Sequence, residues 1–147
     1  MKKINNALLV DNDALINMMN AKLIEGSKIA RNVNIVTNAK EALRILKKID
    51  VSNLPEFPEI IFLDIDMPVM SGWQFLKEVE KIPLIVLNKC RIILLGSSLD
   101  LFQIKKAKSN TMVNDYIPKP LTMKSLQMLR SAKYKPFSIC QTSLREI

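Results

Sequence analysis

A chain of 147 residues, 48% of them hydrophobic, is the size of one domain with its own core, at about 100–200 residues per domain, and needs no disulfide or structural metal to hold it. Its net charge of +8 sits in the second half: residues 76–147 carry thirteen Lys/Arg against five Asp/Glu, while residues 1–75 are balanced at nine and nine. Histidine is absent, which excludes Cys/His zinc sites and histidine-based catalysis and leaves carboxylates, lysine and hydroxyls for any chemistry.

Met1 to Asn6 leads into a short strand-like run, not a signal sequence, and no apolar run reaches about 18 residues, so a soluble, cytoplasmic protein is expected. The first strand is read at 7–10 (Ala-Leu-Leu-Val). A helix follows, with Asp13 as its cap, Leu15, Met18, Met19 and Leu23 on one stripe, and Gly26 near its end. The second strand is at 33–36, and Asn38 caps a second helix whose buried side is Ala42, Leu43, Ile45, Leu46 and Ile49. Residues 50–59 form a long Pro-containing connection into the third strand at 60–63. Ser71-Gly72 opens the third helix, and residues 82–90 read as a long loop before the fourth strand at 91–95. Leu99 to Lys108 is the fourth helix, 115–117 the fifth strand, and Thr122 caps a fifth helix containing Leu126 and Leu129. From Lys133 onward the pattern dissolves into a terminal tail that packs or frays.

Several of these strands are continuously apolar, as in parallel strands covered on both faces. Strand and helix alternate five times, which predicts an α/β fold with a doubly wound parallel sheet and right-handed crossovers. Ligands of such sheets bind beyond the carboxyl ends of the strands, where the strand order reverses. The residues there are Asp11-Asn12-Asp13 after the first strand, Asp64 after the third, Gly96-Ser97-Ser98 after the fourth and Lys119 after the fifth.

With a strand order of 2-1-3-4-5, Asp11 and Asp64 face each other. Two close carboxylates repel, and a hard divalent cation such as Mg2+ compensates them best, with Lys119 bringing a second positive charge. A carboxylate beside a divalent ion and a lysine is suited to accept a phosphoryl group, because both cations neutralise charge on the transferring oxygens. Asp13 reads as a helix cap and not as part of this group.

Leu8-Leu9-Val10-Asp11, the segment Phe62-Leu63-Asp64-Ile65-Asp66-Met67-Pro68-Val69-Met70-Ser71-Gly72 and Tyr116-Ile117-Pro118-Lys119-Pro120 together resemble the receiver domains of two-component response regulators. The resemblance spans about residues 4–132. It implies the flavodoxin-like five-stranded fold over residues 1–135, with residues 136–147 as a tail and no output domain. It implies Asp64 as the phosphoacceptor, with Asp11, Asp64 and the backbone carbonyl of Asp66 holding Mg2+. Lys119 would stabilise the phosphoryl group, the Lys119-Pro120 bond would be cis, and Tyr116 would be the aromatic switch that moves between outward and inward rotamers. The partners it implies are a histidine kinase or histidine phosphotransfer protein and a downstream protein effector, contacted through the fourth and fifth helices.

Two positions depart from the family. Asn12 stands where a second Asp or Glu belongs, so it is a weaker metal ligand and Mg2+ affinity falls. Gly96 stands where the family has Ser or Thr, and Ser97 replaces that hydroxyl only if the strand end slips by one residue, which reverses its facing. A degenerate receiver, acting as a phosphorylation-independent docking module, is therefore the alternative. The Asp64-Ile65-Asp66 pair mimics the start of haloacid-dehalogenase-type phosphohydrolases, but Asp100 and Asp115 are at unsuitable spacing for that family's later acidic pair, so no enzyme is expected. The lysines are scattered, with one Trp and two Tyr to stack on bases; they read as a solvated surface, with no nucleic-acid or membrane partner. Cys90 and Cys140 are given no role beyond packing.

Overall fold

Strand β3 (Ile60–Asp64) is the centre of the molecule, and its residues Ile60 to Leu63 are fully buried because helices cover both faces of the sheet. The structure, a computed structural model, describes residues 4–88, 90–97 and 99–131. Parallel pairing joins β3 to β1 (Ile4–Val10) and β4 (Arg91–Gly96), with β2 (Ala30–Val36) outside β1 and β5 (Asp115–Pro118) outside β4. The sheet order is β2-β1-β3-β4-β5, the order that the family resemblance implies.

Alternate residues of each strand feed two cores. Leu9, Phe62, Ile93 and Ile117 pack with Ala21 and Ile24 of α1 (Ala14–Ser27) and Leu126 and Leu129 of α6 (Met123–Arg130). Leu8, Val10, Ile61, Leu63 and Leu94 pack on the other face, with α2 (Ala39–Lys47), α3 (Gly72–Val79) and Ala107 of α5 (Leu101–Ser109).

The caps predicted at Asp13, Asn38 and Thr122 are in place, and Ser71, read as the start of the third helix, is a cap as well. Asp13 accepts from the amides of Leu15 and Ile16, Asn38 from Glu41, and both Ser71 and Thr122 form reciprocal capping boxes. Helix α1 closes on Lys28 in the left-handed region (φ 62°), with Gly26 inside its last turn. Helix α5 starts later than the sequence suggests, at Leu101, because the side chain of Asp100 caps it through Gln103 N.

Two readings are corrected. Residues 82–90 are not only loop, since Pro83 starts a single helical turn, α4 (Leu84–Leu87), that buries Val86 and Leu87. Helix α1 does not bury its apolar stripe: Leu15, Met18 and Met19 are exposed, and Asn17, Asn20, Ala21, Ile24 and Ser27 face inward. The inward face is polar where it meets backbone needing donors; Asn17 Nδ2 donates to Asp11 O at 2.7 Å. Cys90 is buried beside Ile92 in the core on the α2 and α3 side. Cys140 and the tail at 136–147 lie outside the described residues.

Candidate functional site

The register Val10↔Leu63 between β1 and β3, carried one residue further, sets Asp11 opposite Asp64. Asp11 stays in the sheet through its amide, which donates to Val36 O at 3.2 Å, and Asp64 is the last residue of β3, paired with Leu95. The two carboxylates are 4% and 2% exposed. Lys119 arrives from the end of β5, held by its amide to Gly96 O at 2.7 Å, and the Lys119-Pro120 bond that follows is cis. Its ammonium lies 2.5 Å from Asp64 Oδ1 and 3.9 Å from Asp11 Oδ2. The three side chains predicted from unconnected strand ends therefore meet in space.

The Asp64 carboxylate is held through Oδ1, which accepts from Lys119 Nζ and from Asp66 N. On Asp11, Oδ1 accepts from Asp13 N at 2.9 Å, while the buried Oδ2 has no hydrogen-bond partner among the described residues. Behind Asp64 the start of α3 packs against the strand end. The Gly72 amide donates to Ile65 O at 2.9 Å, and a Cβ at Gly72 would stand 2.8 Å from Asp64 O, so only glycine lets the helix approach this closely.

A cleft of about 500 Å³ opens over these groups. Its polar end is Asp11, Asn12, Asp64, Asp66 and Lys119, and its apolar wall includes Ile16, Met19 and Leu121. Asn20, which lines it too, and Asn17, which anchors Asp11 O, were missed in the sequence. Their signal was a polar pair three residues apart on α1, opposite the apolar stripe.

Burial pushes the Asp64 carboxyl above its ordinary value of 3.8; the Lys119 hydrogen bond opposes this and the Asp11 charge adds to it. The folded state thus holds this proton to higher pH than the unfolded chain, so Asp64 takes stability away as pH rises through the window above 3.8. Asp64→Asn is accordingly expected to be more stable than wild type at pH 7, with the gain shrinking toward pH 4. Urea unfolding at both pH values checks this, and an asparagine variant less stable at pH 7 contradicts it.

The positions that depart from the motif have a definite geometry too. Asn12 is exposed at the cleft mouth, and no cluster of three carboxylate, thiolate or imidazole groups suited to a metal occurs among the described residues. Asp13 Oδ1 is committed to its two cap hydrogen bonds. Gly96 is the last residue of β4, opposite Pro118, with no slip of the strand. Ser97 is exposed, and its Oγ accepts from Leu99 N at 3.3 Å. Tyr116 points inward, 9% exposed, and its hydroxyl donates to Ser97 O at 2.7 Å.

The sequence profile of the response regulator receiver domain matches residues 7–130. The chain belongs to that family. It is a receiver domain of two-component signalling. A two-component response regulator from Cytophaga hutchinsonii superposes with a TM-score of 0.78 at 31% identity, over 88% of this chain and 96% of that one. A receiver protein from Dyadobacter fermentans, at 24% identity and TM-score 0.74 over 84% and 93% of the two chains, shares the fold. Among curated proteins, a protein-glutamate methylesterase/protein-glutamine glutaminase of Treponema pallidum is 33% identical over 85 residues, 55% of this receiver and 19% of that protein. A protein of the same description from Paramagnetospirillum magneticum is 28% identical over 81% of this receiver and 29% of its own length. The receiver thus spans less than a third of these curated relatives. Among its described residues no helix is long and apolar enough to cross a membrane.

Proposed function

We propose that this receiver accepts a phosphoryl group on Asp64 from a histidine kinase or histidine phosphotransfer protein in the cytoplasm, and signals by protein contacts. The observation that carries the reading is the Asp64 carboxylate, buried at a strand end, held on one oxygen by Lys119 and facing Asp11, whose buried Oδ2 has no hydrogen-bond partner among the described residues. Attack by an Asp64 oxygen on a phosphohistidine forms the O–P bond and breaks N–P, and the imidazole leaves with the electron pair. Lys119 neutralises the charge that builds on the phosphoryl oxygens. The exposed apolar residues Leu15, Ile16, Met18 and Met19 of α1, beside the cleft, suit the docking of a donor protein next to Asp64.

The oxygen donors here fit Mg2+: the Asp11 and Asp64 carboxylates, the Asp66 carbonyl and, more weakly, the Asn12 amide oxygen would hold it. Bound there, it supplies charge neutralisation on the transferring group. Asp11 Oδ2 is the buried acceptor left for it. The second reading, a docking module that works without phosphorylation, is favoured by Gly96, which offers the phosphoryl group no side-chain hydroxyl.

Incubation with acetyl phosphate, with and without Mg2+, read by intact mass, tests the proposal. One phosphoryl group is expected to add to wild type with Mg2+ and none to Asp64→Asn. Addition to the asparagine variant overturns the acceptor assignment, and no addition to wild type under any condition leaves the docking module.

A further inference from the structure

Gly96 and Tyr116 lie on neighbouring strands, in the registers Gly96↔Pro118 and Leu94↔Tyr116, and the phenol reaches forward to the end of β4. A Cβ at Gly96 would stand 2.3 Å from Tyr116 Oη, 2.8 Å from its Cζ and 3.0 Å from Ile65 Cδ1. Even the smallest side chain at 96 collides with the ring. The phenol hydroxyl fills the volume in which a strand-end side chain would begin, and its donated hydrogen bond grips Ser97 O, the first residue beyond β4. The ring packs in the same core as Ile65, Leu94 and Val113.

Helix α5, beyond Ser97, meets the core through Ala107 and the partly buried Ile104. Ala107 is its only buried residue among those described, while Leu101 and Phe102 at its start are exposed. Away from Tyr116 the helix is placed by Gln103, which accepts from Trp73 Nε1 at 2.7 Å, and by Lys106, whose ammonium sits 4.5 Å over the Trp73 ring. The grip on Ser97 O therefore helps decide how the β4–α5 connection and the exposed start of α5 are presented.

We infer that Gly96 and Tyr116 act as one unit that keeps the phenol inside and hydrogen-bonded to Ser97 O without a phosphoryl group, so that the α5 face keeps one arrangement whether or not Asp64 is modified. The pair stands on the geometry alone; its consequence for signalling rests on the receiver reading above. Outward rotation would expose the ring, break the hydrogen bond to Ser97 O, and leave a void that no side chain at 96 refills. Nor does residue 96 carry a hydroxyl that a phosphoryl group could draw toward itself. A modification at Asp64 shifts the tyrosine only through contacts that differ between its two positions, and residue 96 has no side chain to make one.

The test uses the whole chain with 3-fluorotyrosine in place of its two tyrosines, followed by fluorine NMR, with Tyr116→Phe assigning the Tyr116 signal. In wild type that signal is expected to be protected from a soluble paramagnetic probe and to keep its shift when acetyl phosphate and Mg2+ are added. Gly96→Ala is expected to move it to a solvent-exposed shift and to raise probe-induced relaxation several-fold. A Gly96→Ala signal that stays buried overturns the inference, as does a wild-type signal that moves on loading. Should Gly96→Ala not fold, Gly96→Ala combined with Tyr116→Ala removes the collision; it is expected to fold, and its failure to do so also overturns the pairing. Loading is scored separately by intact mass. A wild type that never takes up phosphoryl fails the proposed function, while the Gly96→Ala signal still decides the pair.

Discussion

Lys119→Met is expected to destabilise the receiver in metal-free buffer and to make its stability strongly dependent on Mg2+. The ammonium contacts Asp64 Oδ1 and lies 3.9 Å from Asp11 Oδ2, so it serves two carboxylates at once. Both acids are almost fully buried, and the register of β1 and β3 prevents them from moving apart. Removing one partner of a fully buried ion pair costs about 3–5 kcal/mol, because the charge left behind has neither water nor a counter-ion. The Lys119 side chain is 38% exposed, so water already screens part of the interaction, and the expected loss is nearer to about 1–3 kcal/mol. A divalent ion that binds only the folded state restores stability in proportion to its affinity, so millimolar Mg2+ should raise the melting midpoint of the methionine variant more than that of wild type. Phosphoryl uptake from acetyl phosphate should fall about 100-fold, the usual scale for losing one charged donor aimed at the transferring group. Thermal melts with and without Mg2+, together with a labelling time course, check both parts. A methionine variant as stable as wild type without metal would mean that the acid pair is compensated some other way.

How far the sequence reaches depends on whether a feature is set by neighbours along the chain or by neighbours across space. The parallel sheet and the gathering of Asp11, Asp64 and Lys119 on one edge were legible because strands buried on both faces announce themselves as unbroken apolar runs, and a parallel sheet places every strand's carboxyl end on one edge; the strand order was implied by the family resemblance. The caps at Asp13, Asn38 and Thr122, and the helix start at Ser71, were legible because each acts within three residues of itself. Helix α1 was not. Its apolar stripe of Leu15, Met18 and Met19 reads as a core face, yet the packed side presents Asn17 to a backbone carbonyl, a demand made by Asp11 that no periodicity encodes. The single turn at Leu84–Leu87 is too short to leave a helical pattern. The inward position of Tyr116 was hidden for a related reason. Its rotamer is permitted by what Gly96 lacks, on a strand twenty residues earlier in the chain, and an absent Cβ becomes informative only when the two strands are laid side by side.

Asn12→Asp carries the other large expected effect, and its sign differs with and without metal. Asn12 is exposed at the mouth of the cleft, next in sequence to Asp11 and lining the same space as Asp64. Without a divalent ion, a carboxylate at position 12 adds a third negative charge near Asp64, whose carboxyl is already pushed upward by burial and by the Asp11 charge, so the variant should be slightly less stable than wild type. With the ion, the same charge is attractive. A unit charge about 4 Å from another gains about 1 kcal/mol in water and more beside a low-dielectric wall, and a divalent cation doubles it. Exposure and screening reduce this to an expected tightening of Mg2+ binding of about tenfold, or about 1.4 kcal/mol. Titrating Mg2+ against the melting midpoint reads both signs in one experiment: the aspartate variant should start lower, climb more steeply and overtake wild type at millimolar metal. Unchanged affinity would mean that Asp66 already supplies the missing carboxylate, since Asp13 is held at the cap of α1 by the amides of Leu15 and Ile16. In that case Asp66→Asn, silent toward an ion held only through its backbone carbonyl, should weaken Mg2+ binding by the margin that Asn12→Asp failed to add.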